Sequence, residues 1–291
     1  MRKKIILIDG SFYLYRAYYS LPNLMNTKGY PTGAIYGFIR MFNKIIKMNT
    51  NSYFLIIFDT KGISFRKKIF DKYKSKRINM PDNLIIQIKP LFKIIQAMGY
   101  NVIYIKNIEA DDIIGTLAIQ AEKKKFLVFI FSIDKDITQL VNKNIKIVNP
   151  INYSISGPKE IYQKYGVYPR CISDLLALSG DPIDNIPGVP GIGNKISKNL
   201  INKLGNLKYI YNNINNINNT NFRSGDIIRE KLIKYKKLVF LYHELTKIKT
   251  NIVINIDYLN PLNLKITPQI NYLKYLFNKY EFNKLNKIIY N

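Results

Sequence analysis

The chain has 291 residues with 45 basic and 19 acidic side chains, a formal charge of +26, 47% apolar residues, one Cys and one His. That apolar share excludes a disordered chain, and a single cysteine excludes an internal disulfide and, beside one histidine, an ordinary structural zinc site. The basic excess points to a polyanion, most simply nucleic acid; Lys dominance beside abundant Asn, Ile and Tyr is equally what an A/T-biased genome produces, and Arg16, Arg66, Arg77 and Arg223 run against that bias.

The N-terminus, MRKKIILIDGS, has too short an apolar run before Asp9 for a signal peptide and reads as a first strand. No apolar run approaches the roughly 18–20 residues of a membrane span, so a soluble, cytoplasmic protein is expected. Further strands are expected at Tyr53–Phe58, Asn101–Ile105 and Phe126–Ile133, continuous apolar runs suited to a sheet buried on both faces. Between them lie helical patterns at Ile35–Met48, at Asp82–Met98 (Pro81 at its start, Gly99 after its end, a kink expected at Pro90) and at Ala110–Lys125. Strands alternating with helices mean an α/β domain.

Each strand is followed by acids: Asp9, then Asp59, then Glu109, Asp111 and Asp112, then Asp134 and Asp136. In an open parallel sheet those ends share one edge, where ligand crevices form. Any one of these acids is also explained as a turn residue or helix N-cap; their recurrence at one edge is not. With Asp181 and Asp184 they make nine of the 19 acids. Unit charges 4 Å apart repel by about 4 kcal/mol per pair at an effective dielectric of 20, so such a crevice takes up protons or divalent cations. All-oxygen ligands favour Mg²⁺ or Mn²⁺ over zinc.

Lys61–Arg77 holds eight basic residues among 17, interleaved with Phe65, Phe70 and Tyr73. A charge run is commonly a solvated face. Leaving the strand end beside Asp59, this one is placed to meet single-stranded nucleic acid, with cations on phosphates and rings on bases. Arg170–Ser179 reads as a helix delivering GDPIDNIPGVPGIGNK. Its Gly-Pro portion, containing Gly188, Val189, Gly191 and Gly193, enters a helical pattern at Asn194–Leu204, with Lys195 in the first turn. The pattern matches a helix-hairpin-helix, a sequence-independent grip on DNA backbone, with a tight turn between packed helices as the alternative. Asp181 and Asp184 belong with the acidic edge, so the stretch reads as a ruler joining grip to chemistry. Asn206–Asn221 reads as a helix fraying into a variable loop, Ser224–Leu241 as a helix, Asn251–Ile256 as weakly alternating, and Tyr272–Ile289 as a basic amphipathic segment.

The motifs LIDGSFYLYRAYY, PTGAIYGF, FDTKGISFR, YKSKR, EADDIIGTLA, DKDITQLV, GPKEIYQKYGV, LLALSGDPIDNIPGVPGIGNK and KYEF occur in this order. The chain thereby resembles the 5′→3′ exonuclease domain at the N-terminus of bacterial DNA polymerase I, which is similar to phage 5′-nucleases and flap endonucleases. It stops where that domain stops, which reads as a free-standing form. The resemblance implies a mostly parallel central sheet flanked by helices (a PIN-like 5′-nuclease core, 1–170) with a helical arch based on 61–81. A helix-hairpin-helix subdomain over 171–260 and a tail over 261–291 packing on the core complete the expected organisation. It assigns Asp9, Asp59, Glu109, Asp111 and Asp112 to one metal site and Asp134, Asp136, Asp181 and Asp184 to a second. Tyr73 falls on a base-stacking position, Arg66 within the DNA-contacting basic segment, Lys74 and Arg77 on groups facing the scissile phosphate, and Arg16 on an Arg near the active site. Asp112 counts among the catalytic set. Two or more Mg²⁺ ions, replaceable by Mn²⁺, are expected, with a monovalent cation such as K⁺ at the hairpin loop. The implied reaction is two-metal hydrolysis of DNA at 5′ ends, flaps and nicks by a monomer. RNA primers in hybrids are further substrates and a separate DNA polymerase a partner. A PIN-like RNA nuclease and a non-catalytic DNA-binding module are the alternatives. The sequence departs from the family at Ile133, where many members have Gly, at Asn194 in place of Glu, and at Ile196-Ser197.

Overall fold

A computed structural model describes residues 2–215, 217, 225–260 and 262–288. Arg223 and Ile289 lie outside them, as do Ser224 and most of 216–221. Strand β1 (Lys4–Asp9) leads directly into α1 (Gly10–Ser20), followed by α2 (Gly33–Met48), β2 (Ser52–Ile57), α3 (Phe65–Ile69), α4 (Asp82–Ala97) and β3 (Asn101–Ile103). Then come α5 (Ala110–Lys123), β4 (Leu127–Phe131), β5 (Ile145–Val148), β6 (Ile155–Ser156) and α6 (Pro158–Tyr165). The remainder is helical: α7 (Ile172–Ser179), α8 (Asn194–Leu204), α9 (Leu207–Asn212), α10 (Gly225–Lys234), α11 (Lys236–Thr246) and α12 (Ile270–Lys279).

The sheet order is β3-β2-β1-β4-β5-β6, parallel except for the antiparallel edge strand β6. The chain builds outward from β1 to β3, then crosses back to β4 on the other side of β1. Such a reversal opens a crevice at the carboxyl ends of the two central strands, β1 and β4. Successive strand residues face opposite sides, and the core divides accordingly. Ile5, Leu7, Leu55, Ile57, Val128 and Ile130 pack with α5 and with α7 to α11. Ile6, Ile8, Phe54 and Ile56 pack with α1, α2, α4 and α12.

Several elements differ from the sequence expectation. Helix α1 is rich in aromatics, which carry weak intrinsic helix preference; burial of Tyr13, Leu14 and Ala17 against α2 and the sheet organises it. Helix α4, in which a kink was expected at Pro90, holds that proline inside one helix. Proline cannot donate to the carbonyl four residues back, and that carbonyl, on Ile86, instead accepts the Tyr30 hydroxyl at 2.6 Å. The helix expected over Ser224–Leu241 is two helices meeting at Tyr235. Of the expected arch, 61–81 contributes only α3 and a run of turns over 71–76. Among the described residues no helix is long and apolar enough to cross a membrane.

Candidate active site

Asp9 ends β1 at the crevice and caps α1: one oxygen accepts the Phe12 N–H at 3.0 Å, the other the Ser132 hydroxyl at 3.0 Å. Burial, with neighbouring Asp59 and Asp134, outweighs those bonds and pushes its carboxyl up to about 7. Asp59 is exposed and accepts the first N–H of α5, from Ala110, at 2.9 Å, while its own N–H donates to Ser11 Oγ at 2.8 Å. Burial and then Asp134 raise Asp111 well above the ordinary carboxylate range. Burial also raises Asp134, which accepts the Asp136 N–H at 2.8 Å, and Asp136. Ile133 is half exposed and lies outside the left-handed region, so the turn aiming Asp134 forms without the glycine common in the family; Ser132 Oγ holds it by accepting the Asp134 N–H at 3.1 Å.

The second group comes from the turn at Asp181–Ile186, whose ends exchange backbone hydrogen bonds at 2.7 and 2.8 Å. This closes the chain so that Asp181 and Asp184 face Asp136: one oxygen from each of the three lies within 4.8 Å of the others. Asp136 Oδ1 is buried with no hydrogen-bond partner among the described residues, as is Glu109 Oε1. Buried carboxylate oxygens in an all-oxygen cluster, several with carboxyls driven toward protonation, fit a hard divalent cation.

Cations close over the acids. Lys74 Nζ lies 2.6 Å from Glu109 and 3.8 Å from Asp184, Arg77 donates to Asp184 at 2.9 Å, and Lys135 to Asp181 at 2.6 Å. Burial alone would raise Glu109, but Lys74 and Arg66 hold it at about 2. Burial likewise opposes the Lys74 ammonium, and Glu109 and Asp184 outweigh it, keeping it above the ordinary lysine value. The backbone binds the two parts together: the Lys74 N–H donates to the Asp184 carbonyl at 3.0 Å, and Asn185 Nδ2 donates to the Lys72 carbonyl at 2.8 Å. Two cavities flank this cover. One of 470 Å³ is lined by Tyr15, Phe58, Asp59, Lys74, Arg77 and Phe92, and one of 220 Å³ by Arg77, Lys135 and the second acidic group. The arrangement can hold divalent ions and a phosphodiester side by side.

Three expected roles are corrected. Asp112 does not face the crevice; its side chain is 1% exposed and makes a bidentate ion pair with Arg66 at 2.7 and 2.8 Å. Arg66 is therefore enclosed, at 3% exposure, and presents nothing to DNA. The Tyr73 ring packs in the core, and its hydroxyl reaches Glu109 at 3.2 Å and Asp184 at 3.1 Å, leaving no face for a base. Arg16 is half-buried on α1; its carbonyl accepts the Ser20 hydroxyl at 2.7 Å. Sequence reasoning missed Ser11, Ser132 and Lys135, whose roles need neighbouring strands and turns to be assembled.

The Gly-Pro loop packs against the start of its own turn. Gly180 and Gly188 both have positive φ (84° and 70°), and a Cβ on Gly188 would collide with the backbone of Ser179 and Gly180. Val189 is buried in the core, whereas Gly191, Gly193 and Lys195 are exposed at the N-terminus of α8. Lys231, on α10, brings its ammonium over Gly191, adding a cation the sequence did not assign to the loop.

The family model described as "5'-3' exonuclease, N-terminal resolvase-like domain" matches residues 4–166, and "5'-3' exonuclease, C-terminal SAM fold" matches 167–269. A 5'-3' exonuclease of Buchnera aphidicola (subsp. Schizaphis graminum) is 45% identical over 88% of this chain and 89% of its own. DNA polymerase I of Pseudomonas aeruginosa is 42% identical over 63% of this chain, a match covering 20% of that longer protein. Among solved structures, the T5 D15 protein co-crystallised with metal ions shares the fold with a TM-score of 0.70 at 18% identity, over 95% of this chain and 99% of that one. The catalytic core of Rad2 in complex with DNA substrate shares it at 0.62 and 18%, over 99% and 91%. Family models running from residue 4 to residue 269, and close relatives of matching length, make the conclusion direct: the chain belongs to the 5'-3' exonuclease family and is a nuclease.

Proposed function

We propose that this nuclease hydrolyses DNA phosphodiester bonds at 5′ ends and 5′ flaps with the help of bound Mg²⁺, for which Mn²⁺ substitutes. The observation carrying this reading is the convergence of Asp136, Asp181 and Asp184 within 4.8 Å beside Lys74 and Arg77. Asp9, Asp59, Glu109, Asp111 and Asp134 would hold ions on the β1 side of the crevice, and the triad on the other. Bound there, divalent ions supply Lewis acidity and a deprotonated water at neutral pH. The residues of the chain do the rest. Lys74 and Arg77, which neutralise Glu109 and Asp184 in this structure, would turn to the phosphate and offset charge developing on it. Gly191, Gly193, Lys195 and Lys231 would grip the duplex backbone, with K⁺ a candidate at the loop. Metal ions and DNA in the T5 flap endonuclease complex, and DNA in the Rad2 complexes, support this reading by shared fold. RNA primers in hybrids and a separate DNA polymerase are the further partners it suggests, with the chain acting as a monomer.

The test uses a 5′-labelled flap duplex and an RNA of matching structure, each with Mg²⁺ or EDTA. Mg²⁺-dependent release of short DNA products is expected. DNA left intact in Mg²⁺ would defeat the proposal, and faster cleavage of the RNA would redirect it to RNA.

A further inference from the structure

The geometry points to Arg66 as a positioning residue for cleavage, locking the acid-bearing end of α5 to a strap made of the end of α11 and the residues that leave it. This rests on the nuclease reading above and adds a residue that touches neither metal nor DNA.

Arg66 sits on α3, in the basic segment where a DNA contact was expected, yet every edge of its guanidinium is engaged internally. Two nitrogens grip both oxygens of Asp112, Nε donates to the Leu245 carbonyl at 2.7 Å, and a terminal nitrogen donates to the Lys247 carbonyl at 2.9 Å. Asp112 in turn accepts the Lys249 N–H at 2.8 Å. One turn of α5 thus carries Asp111 toward the crevice and Asp112 toward the strap. Glu109, which begins that helix, lies 3.5 Å from the same guanidinium.

The strap, the last two residues of α11 and 247–250, reaches the other acid-bearing elements as well. Gln139, just beyond Asp136, donates to the Thr246 carbonyl at 3.0 Å and accepts the Ile248 N–H at 3.0 Å. The Thr246 hydroxyl donates to the Ser173 carbonyl on α7, the helix that delivers Asp181, at 3.0 Å. One segment of backbone therefore touches the supports of Glu109 and Asp111, of Asp136, and of Asp181. Arg66, on α3, is its anchor. A buried bidentate pair contributes little net stability but a rigid geometry, because two parallel bonds fix both distance and plane.

The experiment compares Arg66→Lys, Asp112→Asn and the double variant in the full chain. Three quantities are measured: single-turnover cleavage of a 5′-flap duplex at saturating enzyme, flap affinity in EDTA, and Mg²⁺ stoichiometry by calorimetry without DNA. Each single substitution is expected to slow cleavage about 10- to 100-fold, with flap affinity and Mg²⁺ stoichiometry unchanged. The double variant should lose no more than the worse single one. Losses that multiply would show independent roles and overturn the inference. So would a lower Mg²⁺ stoichiometry in Asp112→Asn alone, making it a ligand, or weaker flap binding with unchanged saturated rate in Arg66→Lys, making it a DNA contact. If a single variant fails to fold, Arg66→Met with Asp112→Leu replaces the pair by apolar side chains of similar size. Stable but slow cleavage is expected of it, and wild-type rate would overturn the inference. The wild-type control separates the claims: failure of wild type to cleave in Mg²⁺ counts against the nuclease reading, whereas wild-type cleavage with any contrary result counts against Arg66 alone.

Discussion

At the scale of single residues, the site stores charge that the fold alone does not neutralise. Asp9 holds two hydrogen bonds and still has its carboxyl pushed up to about 7. A carboxyl raised in the folded state favours the fold while protonated and opposes it once ionised. Without divalent ions, stability should therefore fall as pH rises from about 4 to about 7, by about 4 kcal/mol from this group. Mg²⁺ should restore it, because the ion binds the deprotonated form. Thermal melts across pH with EDTA and with Mg²⁺ measure both halves; a Mg²⁺-independent profile would contradict the assignment of Asp9 to an ion site. Lys74 belongs to the same scale. Its ammonium is held between Glu109 and Asp184, and the proposed function turns it to the phosphate. Lys74→Ala should slow single-turnover cleavage on the order of 10²-fold while changing duplex affinity much less. Equal losses in both would assign it to binding.

Among elements, the turn at Asp181–Ile186 and the Gly-Pro loop behave as one unit. Gly188 is packed on Gly180 with positive φ, so Gly188→Ala should cost on the order of 3 kcal/mol through strain and collision. Gly193 has extended backbone and open space for a Cβ, so Gly193→Ala should leave the melting temperature nearly unchanged. Similar melting temperatures for both variants would contradict this account of the loop. Two residues inserted between Ile186 and Pro187 should part the grip from the acids. Product mapping should then show cleavage lost or scattered over several phosphates, with duplex affinity kept; one sharp product at the wild-type phosphate would show that the spacing is not a ruler. Helix α4 teaches a related point. Pro90 leaves the Ile86 carbonyl without its helical donor, and Tyr30, sixty residues earlier in the chain, supplies one.

Across the whole molecule, the sheet order explains why acids scattered from Asp9 to Asp184 meet. Strands β1 and β4 are neighbours at the reversal of the sheet, so Asp9 and Asp134 leave adjacent ends, and α5 brings Asp111 from the side. The segment from α7 to α11 closes the crevice by adding Asp181 and Asp184 from the turn after α7 and by lying on the face of the sheet that carries Ile5 and Leu7. On the proposed function, the large positive charge would draw in a polyanion and the concentrated acidic centre would then need cations to let it approach.

Much of this was legible from local spacing. Apolar runs ending in Asp9, Asp59 and Asp134 indicate buried parallel strands whose ends converge, and the glycines and prolines from Gly188 to Gly193 indicate a loop feeding a helix. Such signals are local because period and turn chemistry are properties of a few consecutive residues. What the sequence could not decide is which way neighbouring side chains turn. Asp111 and Asp112 are about 100° apart on one helix, and spacing alone puts either in the crevice. Arg66, 46 positions before Asp112, claims it for the strap, while Tyr73 is drawn into the core by the apolar face of α5 and the hydroxyl acceptors at Glu109 and Asp184. Orientation at the site is set by partners brought together only when the sheet, α3 with its following turns, and the strap have packed.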